Sequence, residues 1–121
     1  MEILSKNLLI QQALESQKAW LVKIELKKNV NYSYERYNRF IVPELIKFYP
    51  ESILDDMEIR MLYNEEFIIK KFEKYQEANA FWKNIPSMED TIKNQIIQDL
   101  FFIHCSLIDK DGMEIKNNKK T

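Results

Sequence analysis

The sequence predicts an all-α fold, a compact single-domain bundle of about four to six helices. Three observations carry that prediction. The 121 residues include one glycine, Gly112, and three prolines, Pro43, Pro50 and Pro86, whereas the tight turns of antiparallel sheets favour residues that tolerate positive φ. Apolar residues recur at helical spacings of three and four over most of the chain. With 45% hydrophobic and 31% charged residues, a chain of this length can bury a core without disulfides or metals. Residues 1–115 read as one helical domain and residues 116–121, "KNNKKT", as a flexible tail.

Ser5 caps a first helix that runs to Lys28, with Ile3, Ile10, Leu14, Leu21 and Ile24 as its stripe. A second pattern competes at its end. In "AWLVKIELKK", Trp20, Val22, Ile24 and Leu26 alternate with Leu21, Lys23, Glu25 and Lys27, the period of a half-buried strand. Its partner would be the C-terminal "FIHCSLIDKDGMEIK", where Asp111-Gly112 is a hairpin-type turn signal. An α+β fold with a small terminal strand pair is therefore the minor alternative.

After the polar "NVN", Tyr34, Tyr37, Ile41, Leu45 and Phe48 recur every three or four residues and mark an amphipathic helix. Pro43 lacks an N–H and restricts Val42, so this segment is kinked or divides into two helices, with Pro43 in the first turn of the second. Pro50 ends it, and a helix from Glu51 presents Leu54, Met57, Met61 and Leu62 as its apolar side. Asn64 caps the next helix, with Glu65 and Glu66 in its first turn and Ile68, Phe72, Tyr75 and Trp82 along its buried stripe. Ser87 then opens the expected central helix of the bundle, striped by Ile92, Ile96, Leu100, Ile103 and Leu107.

Few residues offer chemistry. His104 and Cys105 are the only residues of their types; as helix neighbours they diverge by about 100° and make neither a nucleophilic pair nor a zinc site. No phosphate-binding loop, dinucleotide fingerprint, metalloprotease motif or nucleophile elbow occurs. The expectation is a protein that is not an enzyme, with no catalytic residues, no metal ligands and no cofactor. The single cysteine excludes an intramolecular disulfide, and the chain shows neither a signal-peptide pattern nor the roughly 18 apolar residues of a membrane span. These features point to the cytoplasm and away from a membrane.

Charge is the remaining signal. The net charge is −1, yet residues 51–66 hold six carboxylates and one arginine. On a helix, Glu51, Asp55 and Glu58 share a side that Glu65 or Glu66 extends, and Asp56 adds to its charge. Tyr49 and Tyr63 lie at its margins, and large amphipathic side chains of this kind anchor interfaces. The plain account of such a stripe is a solvated helix face. The functional account is a non-catalytic inhibitor whose partner-binding residues are Tyr49, Glu51, Asp55, Asp56, Glu58, Tyr63, Glu65 and Glu66. Its partner would be a basic protein, as for an immunity protein or antitoxin neutralising a toxin nuclease, or a phage inhibitor of a defence enzyme.

Two alternatives remain. In "NYSYERYNRF", Arg36 and Arg39 interleave with aromatics and, with the lysine faces, suggest a nucleic-acid-binding regulator, although the net charge disfavours nucleic acid. The other is a homodimer that hides surplus aromatics such as Phe81, Trp82, Phe101 and Phe102.

Overall fold

The computed structural model describes residues 19–86 and 99–117. They form an α+β fold, which overturns the all-α bundle. Four strands, β1 (Trp20–Lys28), β2 (Phe67–Phe72), β3 (Phe101–Ile108) and β4 (Glu114–Asn117), make one antiparallel sheet in the order β2-β1-β3-β4. The first proposed helix therefore ends as a strand, as does the proposed central helix. Their remaining parts, residues 1–18 and 87–98, lie outside the described residues.

Alternation decides β1. Val22, Ile24 and Leu26 are buried in the main core, while Lys23, Glu25 and Lys27 take the other face. On β3, Phe101, Ile103, Cys105 and Leu107 join the same core. The pairs Ile24–Cys105 and Leu26–Ile103 face each other across the two strands, as cross-strand packing requires. On the opposite face Leu21 and Ile108 form a smaller cluster with Ala19.

Scarcity of glycine misled because three of the strands are joined without hairpins. Helical segments separate β1 from β2, and α-helical chain follows β2 before β3. The β3–β4 link is a tight turn. There Gly112 has φ 86°, and the Asp109 carboxylate accepts bonds from the N–H groups of Asp111 and Met113, each at 2.9 Å. Lys116 and Asn117, assigned in sequence to the tail, pair in β4; residues 118–121 lie outside the described residues.

Among the described residues, three helices pack on the sheet. The first, α1, covers residues 34–48 and contains a widened π-helical section, Tyr37–Ile41, between Tyr34–Arg36 and Val42–Phe48. Ser33 caps it by accepting a bond from Arg36 N at 3.2 Å. Pro43 explains the widening: in a regular helix its ring would strike the Arg39 carbonyl, whereas the π section carries the chain past it with Val42 N–H donating to Tyr37 O. Pro43 thus sits in the first turn of the second α-helical piece.

Helix α2 (Asp56–Glu65) begins later than Glu51, because Asp55 is its N-cap. Its buried residues are Ile59 and Leu62, and Met57 and Met61 point outward, 70% and 41% exposed. Neither methionine belongs to the core that the sequence assigned it. Asn64 and Glu65 close α2 instead of opening a helix, and Glu66 follows in the left-handed region at φ 72°. Phe67 then starts β2, so Ile68 and Phe72 lie on a strand. Helix α3 (Tyr75–Lys83) buries Ala78 and is tied to the sheet by Trp82 Nε1 donating to Cys105 O at 3.1 Å.

Candidate functional site

The eight residues proposed as an acidic binding face separate into two groups. Asp55 and Glu58 build α2: Asp55 accepts from Glu58 N at 2.8 Å while Glu58 accepts from Asp55 N at 3.0 Å, a reciprocal capping box. Glu58 also pairs with Lys70 on β2, so its charge is already met within the molecule. Tyr49 is 4% exposed, packed edge-on against Phe48, and cannot be a surface anchor. Burial pushes its hydroxyl well above the usual range. Tyr63 is half-buried and donates to Tyr32 O at 2.6 Å.

Of the other four, three face solvent. Glu51 and Glu65 are exposed and form no ion pair among the described residues, and Asp56 is exposed but bonds Arg60 Nε at 2.6 Å, one turn along. That bond to Asp56 raises the Arg60 pKa. Arg60 also bonds Asn38 of α1, fastening the two helices together. Glu66, at the αL position, is half-buried.

What sequence reasoning missed is the composition of the outward side of α2. Met57, Met61 and Glu65 follow one another at spacings of four and so line a single side of the helix. The signal that could have found them was present. Asp55-x-x-Glu58 has the capping-box pattern, and starting the helix there turns Ile59 and Leu62 inward and the methionines outward.

Below α2 lies a cluster of four tyrosines. Tyr63 meets Tyr34 and Tyr37 at 5.4 Å and Tyr32 at 6.3 Å between ring centroids. The Tyr37 hydroxyl, fully buried, donates to Ile59 O at 2.5 Å, and burial raises its pKa well above the usual tyrosine range. Lys28, at the end of β1, places its ammonium 3.9 Å from the Tyr63 ring centre and 5.9 Å from that of Tyr32. The cationic stretch named as a nucleic-acid candidate lies on α1, where Arg36 and Arg39 are exposed together with Phe40 at 56% and Tyr34 at 40%.

His104 and Cys105 occupy opposite faces of β3, Cys105 in the core with its thiol pushed up to about 12 by burial. Among the described residues, no three His, Cys, Asp or Glu side chains come together to hold a metal, and no helix is long and apolar enough to cross a membrane. No protein-family model, curated protein or solved structure matches the chain.

Proposed function

We propose that the chain is a non-catalytic binding protein that inhibits a basic protein partner by covering it with the outward side of α2, in the manner of an immunity protein or antitoxin. The observation that carries this reading is the pair of exposed methionines one turn apart, Met57 and Met61, in line with the exposed carboxylate of Glu65. Thioether side chains are adaptable and apolar, suited to fill a partner's surface. Carboxylates beside them favour a cationic partner and speed its approach. The acidic contribution now rests on Glu51 and Glu65; Asp56 is paired with Arg60, and Asp55, Glu58 and Tyr49 support the helix from within.

A tagged chain used to capture proteins from its native lysate tests the proposal. The expected result is one strongly basic protein, released by about 0.5 M salt, whose activity falls when the chain is added back. Capture that is indifferent to salt, or a captured protein of acidic character, would contradict it.

The exposure of Arg36, Arg39, Phe40 and Tyr34 together on α1 favours a second reading, nucleic-acid binding through cations and stacking rings. It predicts retardation of labelled single-stranded RNA or DNA that weakens steeply with salt and is lost in R36E/R39E. No retardation at low salt would dispose of it.

A further inference from the structure

The tyrosine cluster has two properties that a purely structural packing element does not require together. Its walls are fixed. Tyr63 is held by its hydroxyl on Tyr32 O and by edge contact with Tyr34, and Tyr37 is held on Ile59 O and stacks parallel to Tyr32 at 6.4 Å. Its cation is not fixed. Lys28 is exposed and forms no ion pair among the described residues; what holds its ammonium is the faces of Tyr63 and Tyr32. An exposed cation–π contact is weak, and a lysine chain regains its rotamer freedom on leaving.

A rigid pair of aromatic walls with a loosely held occupant is a site open to exchange. We propose that the faces of Tyr32 and Tyr63 form a binding site for an organic cation, an alkylammonium or guanidinium group, which Lys28 fills in the free protein. The tilt of 40° between the two rings lets one cation address both faces. The site is made by the ring faces alone: the Tyr32 hydroxyl is buried and has no hydrogen-bond partner among the described residues. The same cation could arrive as a free small molecule or as a lysine or arginine side chain of a protein. The site is distinct from the outward side of α2, so it does not depend on the function proposed above.

The test titrates n-butylammonium into the wild-type chain, Lys28→Gln and Lys28→Gln/Tyr63→Leu, following tyrosine ring resonances by NMR against an equal concentration of sodium chloride. Removal of the resident lysine is expected to tighten binding at least about fivefold over wild type, with saturable shifts at Tyr32 and Tyr63, and loss of the Tyr63 ring to abolish them. Lys28→Gln/Tyr63→Phe retains the ring and should retain binding, which separates loss of the site from loss of the fold. A parallel titration with a capped Arg-Lys dipeptide distinguishes the sources: tighter binding of the dipeptide marks a protein side chain, tighter binding of butylammonium a small molecule. Shifts that fail to saturate, or that sodium chloride reproduces, or that are the same with and without Lys28, would overturn the proposal.

Discussion

Two glutamates seven residues apart on α2, Glu58 and Glu65, show how one acidic stretch serves two ends. Glu58 is half-buried, closes the capping box with Asp55 and pairs with Lys70. Glu65 is exposed and unpaired among the described residues. The inward side of α2, with Ile59 and Leu62 in the core and the Ile59 carbonyl bonded to Tyr37, holds the helix on the sheet. The outward side has no such partners. Negative charge in a sequence therefore does not identify an interaction face: the first carboxylates of a helix are drawn into capping, and only those left on the free side can be met by another molecule.

The sharpest way to break the comparison is to attack the inward side. Leu62→Ala should destabilise the fold by about 3 kcal/mol, within the usual range for a fully buried leucine, read as a fall in denaturant midpoint. Asp55→Ala removes a cap bond and should lower stability by about 1 kcal/mol, with Asp55→Asn recovering most of it. Tyr37→Phe loses the bond to Ile59 O and should destabilise by about 1 kcal/mol, whereas Tyr32→Phe removes an unpartnered hydroxyl and should be neutral or stabilising. If both tyrosine variants behaved alike, the hydrogen-bond assignment in the cluster would be wrong.

Alkaline titration sharpens the same contrast. Desolvation, assisted by nearby Tyr63, pushes the Tyr32 hydroxyl up to about 12 from its ordinary value of 10.0. A folded-state value above the unfolded one means that the neutral hydroxyl is favoured by folding. The associated stability is complete below pH 10 and is lost as the pH rises through about 12. Tyr32→Phe should make the decline of Tm shallower over that window. Smallest of all, Met57→Ala and Glu65→Gln should each change stability by less than about 0.5 kcal/mol.

Helix α1 was legible because its apolar residues recur at three and four, which no strand would produce, and Pro43 was placed correctly in a first turn. The strands were harder to see for a specific reason. Ile68 and Phe72, like Ile103 and Leu107, are four residues apart, a spacing that fits both a helix of period 3.6 and a strand of period two. What separates the two is the residue midway. Cys105, also buried, completes the strand pattern on β3, while on β2 the midway position is Lys70, a half-buried cation paired with Glu58. The minor α+β alternative correctly saw the alternation from Trp20 to Leu26 and the turn at Asp111-Gly112, but β2 lay hidden because its register depends on β1, far away in sequence. For the candidate site, the acidic cluster was legible; its division into structural and free carboxylates was not, since that depends on where Asp55 starts the helix and where Lys70 lies on the sheet.

The most direct test of the central claim is the affinity of the captured basic partner for two variants measured side by side, the outward Met57→Ala/Met61→Ala/Glu65→Lys and the inward Glu58→Gln. The outward variant should keep its Tm and lose at least about 100-fold in affinity, near 2.7 kcal/mol; the inward one should melt earlier and, below its transition, bind within about twofold of wild type. Undiminished binding by the outward variant, with the loss falling on Glu58→Gln instead, would show that the partner is met elsewhere than on the free side of α2.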